Sequence, residues 1–112
     1  MLKKIAIPLE NGRLCVHFGH CQQFAILEVE DGTISKESYV TPPPHEPGLL
    51  PGWLAQQGVT DVIAGGMGQR ALGLFSMQNI AVNVGAEHKS PKELVTDLLN
   101  LSLQTGNNAC DH

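Results

Sequence analysis

Two thiols and two imidazoles fall within seven residues of this chain, in the pattern Cys15-x-His17-x-x-His20-Cys21. Thiolate and imidazole are donors for soft and borderline metals, so the segment reads as a metal site. Its spacing is not that of a structural zinc knuckle, which needs paired Cys-x-x-Cys units. Each residue alone also has a plain reading: either cysteine as a small buried hydrophobe, His17 as a loop residue bonded to backbone. Taken together, the four point to metal-related chemistry.

A second feature is Ala-Gly-Gly-Met-Gly-Gln-Arg-Ala, residues 64–71. Gly65, Gly66 and Gly68 let backbone N–H groups approach a ligand at a helix N-terminus, where an anion is favoured. Arg70 adds a positive group in the first turn, and Met67 is placed to line a pocket or to fill the core. No Lys-Ser/Thr follows, so the turn is not a P-loop. The alternative is a tight strand-to-helix turn with a solvated Arg70. The chain ends in Cys110-Asp111-His112, either further ligands or a frayed terminus. His45 beside Glu46, and His88 beside Glu87, are acid–base couples or solvated loop pairs. His45 joins the glycine turn as a cofactor-binding candidate.

A catalytic set is hard to assemble. There is no Gly-x-Ser-x-Gly, and two-metal hydrolysis needs clustered carboxylates. The first apolar run holds none before Glu10, and the run at 59–66 holds only Asp61. The chain is expected not to be an enzyme.

These residues need a frame. The chain has 112 residues, a formal net charge of −4, 7 Lys and Arg, and 4% aromatic residues. That is one domain, expected over 1–106 with a short tail at 107–112. A nucleic-acid partner would need a basic stripe and stacking rings, which are missing. No apolar run approaches the roughly 20 residues that span a bilayer. The start is too short and strand-like for a signal peptide, so a cytoplasmic protein is expected. Three cysteines cannot form a closed disulfide set, which favours ligands or redox thiols.

Residues 2–8 read as a strand stopped by Pro8, and 13–22 as a loop after Asn11-Gly12. Residues 23–30 and 33–40 read as strands joined by Asp31-Gly32, a hairpin signal. The second of these has the mixed polarity of an edge. A proline-rich connector at 41–48 leads to a helix ending at Gly58. The β-branched run at 59–66 reads as a buried parallel strand. A helix from the glycine turn, a strand at 80–84 and a helix opened by Ser90-Pro91-Lys92-Glu93 complete the chain. The order is βββαβαβα: an α/β fold with a mixed five-stranded sheet and helices on both faces. Four strands then point the same way. The Cys/His loop, His45, the glycine turn and His88 share the edge where ligands of open α/β sheets bind.

The runs KIAIPLENGRLCVHFGHCQQFAILEVEDG, HEPGLLPGWL, GVTDVIAGGMGQRAL and NIAVNVGA resemble the dinitrogenase iron–molybdenum cofactor biosynthesis family. This is the NifX type, also found as the C-terminal part of NifB-type proteins, in a group that includes the molybdenum–copper orange protein of anaerobic bacteria. His-Phe-Gly-His and Ala-Gly-Gly-Met-Gly carry most of the likeness, which spans nearly the whole chain. The resemblance implies a ribonuclease H-like fold without nuclease chemistry. It also implies binding or carriage of an iron–sulfur, iron–molybdenum or molybdenum–copper cluster, with cofactor-assembly or recipient proteins as partners. A sulfide-rich cluster is a bulky anion, which suits glycine amides, Arg70 and nearby soft ligands. Cys15, His17, His20 and Cys21 are then the metal-ligand candidates, ahead of Cys110 and His112. The competing reading is a phosphate- or nucleotide-binding sensor or enzyme built on the glycine turn.

Overall fold

Strand β1, Leu2–Glu10, carries buried apolar residues on both faces, so it must lie in the middle of a sheet covered on both sides. A computed structural model describes residues 2–15, 21–42, 49–86 and 89–99. The remaining elements are β2 (Arg13–Leu14), β3 (Gln23–Glu30), β4 (Thr33–Val40), α1 (Leu49–Gln56), β5 (Asp61–Ile63), α2 (Gln69–Met77), β6 (Ala81–Asn83) and α3 (Pro91–Leu99). The sheet runs β4-β3-β1-β5-β6, with β2 paired to β1 off this path. β3 is antiparallel to both β1 and β4, while β1, β5 and β6 are parallel. The expected directions therefore hold, and the C-terminal ends of β1, β4, β5 and β6 share one edge.

The alternation of β1 divides the core. Ala6 packs with Phe24, Ile26, Val62, Met67 and Phe75 under Leu50 and Leu54 of α1. Ile5, Ile7 and Leu9 face the other way, onto Leu27, Ile63 and the α3 residues Leu94 and Val95. Helices α1 and α2 thus cover one face and α3 the other, as the sequence pattern requires. Trp53 extends the first cluster, its ring 5.8 Å from that of Phe24 at 55°.

Three expectations need correction. The sheet has six strands, not five, because the 13–22 segment is not all loop: Arg13 and Leu14 pair with Glu10 and Leu9. Asn11 and Gly12 have φ of 55° and 80°, the left-handed pair that a tight hairpin demands. Nor does Pro8 stop β1, which runs on to Glu10. Proline removes a donor, yet its carbonyl still accepts Cys15 N–H at 2.8 Å. The strand at 59–66 is shorter than expected, Asp61–Ile63, because the chain turns at the glycines.

The helix ends follow their signals. Gly58 takes φ 83° after α1, and Val59 N–H closes back on Leu54 O at 3.2 Å. Lys4 Nζ, reaching over from β1, donates to Gln57 O at 3.2 Å. Pro91 opens α3, where Ser90 Oγ meets Glu93 Oε1 at 2.8 Å. The expected end of that helix near Gly106 lies outside the described residues. Among the described residues no helix is long and apolar enough to cross a membrane.

Candidate functional site

The site is built by backbone bonds at the C-terminal edge of the parallel strands. The Asn11-Gly12 hairpin sends the chain back along β1 and delivers Cys15 opposite Pro8, through the 2.8 Å bond already noted. Gln22 N–H then donates to Leu9 O at 2.8 Å, and Asn11 N–H to Gln22 Oε1 at 3.2 Å. Both ends of the Cys/His segment are thereby fixed to neighbouring residues of β1.

Cys15 is almost fully buried, and its Sγ lies 3.7 Å from Glu10 Oε2, within reach of a weak S–H donor. Cys21 is half-buried and packs against the core cluster under α1 and α2. Burial pushes the Cys21 thiol up to about 11. The nearby Cys15 adds to this, and a backbone hydrogen bond opposes it. The Cys21 thiol is therefore protonated at neutral pH. A metal would displace that proton, because thiolate is the ligand form. Two soft donors at one sheet edge fit a metal–sulfur centre.

The glycine turn lies at the ends of β5 and β6. Gly85 N–H donates to Gly65 O at 2.9 Å, Ala64 N–H to Asn83 O at 2.8 Å and Ala86 N–H to Ala64 O at 3.2 Å. The turns after the two strands are locked side by side. Gly68 is the N-cap of α2, with φ −68° and ψ 157° and no side-chain cap. A Cβ at Gly68 would meet nothing within 4 Å, so space lies open over the first turn. Arg70 is exposed there, whereas Met67 is buried at 1% exposure and fills the core. A further link ties the Cys/His hairpin to the segment before α3: Leu14 N–H donates to Lys89 O at 3.0 Å.

Of the candidate residues, the structure places Cys15, Cys21, Gly65, Gly66, Gly68 and Arg70 at or beside one edge. His17, His20, His45, Cys110 and His112 lie outside the described residues, as does His88. Among the described residues no group of three or more His, Cys, Asp or Glu is arranged to hold a metal ion. Sequence reasoning missed Glu10 as a neighbour of Cys15. The signal was available, since Asn11-Gly12 as a two-residue turn puts Glu10 against Arg13 and near Cys15.

Comparisons with known proteins agree with this frame. A family model described as dinitrogenase iron-molybdenum cofactor matches residues 1–101. The uncharacterized protein MJ0580 of Methanocaldococcus jannaschii is 35% identical over an 86-residue alignment covering 72% of this chain and 73% of that protein. The crystal structure of PH0822 superposes with a TM-score of 0.85 at 25% identity, covering 91% of this chain and 93% of that one. The apo form of the orange protein from Desulfovibrio gigas shares the fold, with a TM-score of 0.76 at 20% identity over 96% of each chain. With a family match over nearly its whole length, a curated relative at this identity and the same fold, the chain belongs to the dinitrogenase iron-molybdenum cofactor family.

Proposed function

We propose that this protein binds and carries a metal–sulfur cluster, iron–sulfur or molybdenum-containing, as a non-enzymatic scaffold in cofactor assembly or delivery. One observation carries the reading: Cys15 and the Cys21–Gln22 segment are both fixed to the end of β1, at the sheet edge that also carries the glycine turn. Two thiols offer soft ligands to the metals of a cluster. In this reading His17 and His20 complete the ligand set, with Cys110 and His112 as further candidates. Gly65, Gly66, Gly68 and Arg70 hold the anionic body of the cargo in this reading, with His45 as a further candidate, and Met67 backs the turn from the core. A phosphate site would have no use for two thiols at that edge. Assembly or recipient proteins are the partners a carrier requires, and the cytoplasm is where such exchange takes place. We read the sheet order as that of the ribonuclease H-like class, with the nuclease carboxylates missing.

The test is anaerobic purification followed by an absorption spectrum and elemental analysis. Charge-transfer bands with iron, molybdenum or copper are expected. The double variant Cys15→Ser/Cys21→Ser should lower metal per protein while the far-ultraviolet circular dichroism is unchanged. Undiminished stoichiometry in that variant would overturn ligation by the thiols. Wild-type protein that stays metal-free after reconstitution would overturn the carrier reading itself.

A further inference from the structure

We propose that the outer edge of β4 pairs antiparallel with the same edge of a second copy of this chain, centred on Ser38, so that two chains share one continuous sheet. This goes beyond the carrier reading and does not depend on it. β4 is the last strand on the side of the sheet away from β5, β6 and the glycine turn.

Backbone direction carries the inference. Gln22 N–H donates to Leu9 O, whereas Cys15 N–H and Thr60 N–H donate to Pro8 O and Lys4 O. The even-numbered residues of β1 thus bond towards β2 and β5, and the odd-numbered ones towards β3. Ile5 pairs with Leu27 and Ile7 with Ala25, so the odd-numbered residues of β3 are taken up by β1. Phe24, Ile26 and Glu28 then bond to their partners Val40, Ser38 and Lys36 in β4. The N–H and C=O groups of Glu37 and Tyr39 are left turned outward, on the last strand of the sheet. The regular edge covers residues 36–40. A register shift between Glu28 and Val29 interrupts it before Lys36, and β4 ends at Val40. Tyr39, inside this stretch, is 51% exposed and with Met77 is one of the large apolar side chains left uncovered among the described residues.

The side chains select the partner and the register. Glu37 and Tyr39 lie opposite Leu27 and Ala25, on the α3 face, where Lys92 Nζ stands 3.7 Å from Glu37 Oε2. Ser38 and Val40 lie opposite Ile26 and Phe24, on the α1 and α2 face, which Lys36 shares. A two-fold axis normal to the sheet keeps every side chain on its own face, so the pairing must be centred on a residue and not between two. Centred on Lys36, it sets two ammonium groups directly opposite; centred on Glu37, two carboxylates. Both are destabilising. Centred on Tyr39, it keeps only residues 38–40 in register within β4. Centred on Ser38, it uses the whole regular edge. Glu37 of each copy then faces Tyr39 of the other and exchanges both backbone bonds with it, while Lys36 faces Val40. The same side-chain contact already exists within one chain, where the Tyr39 hydroxyl donates to Glu37 Oε1. The two Glu37 carboxylates stand diagonally, each with its own Lys92. A second copy matches this order by symmetry, which a strand of another protein has no reason to do.

The test is sedimentation of the full chain, metal-free, reduced and carrying Cys110→Ser, over a range of concentrations. A monomer–dimer equilibrium is expected, and a chain that stays monomeric up to about 1 mM overturns the proposal. Tyr39→Pro removes an outward N–H and leaves the bonds to β3, so it should abolish the dimer with the far-ultraviolet circular dichroism unchanged. Cross-linking reads the register. In the pairing centred on Ser38, the two Ser38 Cα atoms stand about 4.5 Å apart as a non-hydrogen-bonded pair, within reach of a disulfide. Ser38→Cys treated with diamide should give a covalent dimer joined through residue 38, as mapped by peptide mass. Lys36→Cys, on the same face but opposite Val40, should not. A dimer that survives Tyr39→Pro, or one that Ser38→Cys does not link, uses another surface and overturns the proposal. If Tyr39→Pro fails to fold, the contrast between Ser38→Cys and Lys36→Cys decides alone.

Discussion

The Cys21 thiol should titrate near 11, pushed up from its ordinary value of 9.0 chiefly by burial and next by Cys15. Two units mean about a hundredfold less thiolate at neutral pH than an unperturbed thiol would show. Alkylation reads this directly. Metal-free, reduced Cys110→Ser protein is treated with iodoacetamide between pH 7 and 10, and Cys21 labelling is followed by peptide mass. The rate constant should rise about tenfold per pH unit with no plateau up to pH 10. Cys15→Ser should lower the midpoint by less than the full displacement, because burial is the larger cause. The sign for stability follows from linkage. The folded chain holds this proton longer than the unfolded one, so stability falls as pH rises from about 9 to about 11. A rate plateau near pH 9 would show that burial does not govern this thiol.

Phe75→Ala should cost about 3–5 kcal/mol, because the ring is fully buried between α2 and the sheet. A urea midpoint that barely moves would contradict that packing. Gly12→Ala should cost on the order of 1 kcal/mol through its φ of 80°, where a Cβ is strained though nothing crowds it. The same urea titration checks this, and an unchanged midpoint would mean the hairpin relaxes. Cluster retention should weaken between about pH 7 and pH 5 if His17 and His20 are ligands, since only neutral imidazole binds metal. Retention that improves toward pH 5 would instead favour an anion held by electrostatics, which an anaerobic titration of loaded protein distinguishes.

Much of the frame was legible in the residues. The hairpin at Asp31-Gly32 marked the bounds of β3 and β4, and its φ of 52° and 79° pairs Glu30 with Thr33, although a register shift between Glu28 and Val29 alters the pairing farther from the turn. The β-branched run around Val62 marked a strand buried on both faces. What the sequence hid is where pairing overrides a local breaker. Pro8 reads as a stop, but only its carbonyl faces β2, so the missing donor costs the ladder little. Arg13-Leu14 is too short to read as a strand and exists because Asn11-Gly12 folds it back onto β1. The site was legible as chemistry and only partly as geometry. Cys15 and Cys21 were visible by spacing, whereas the anchoring of their segments to the end of β1 depends on Pro8 and Leu9 accepting from Cys15 and Gln22. Of the two places the sequence allowed Met67, a pocket wall or the core, its side chain takes the core.

Four of the bonds that join this edge among the described residues are main-chain: Gly85 to Gly65, Leu14 to Lys89, Cys15 to Pro8 and Gln22 to Leu9. A frame of that kind is indifferent to which side chains decorate it and strict about how many residues lie between its knots. Point substitutions at Lys89 or Leu14 leave the amide and carbonyl in place. One residue inserted between Gly12 and Leu14 shifts the pairing by a step and turns Cys15 to the other face. Mutational tolerance at this edge should therefore be generous to substitution and poor to changes of length.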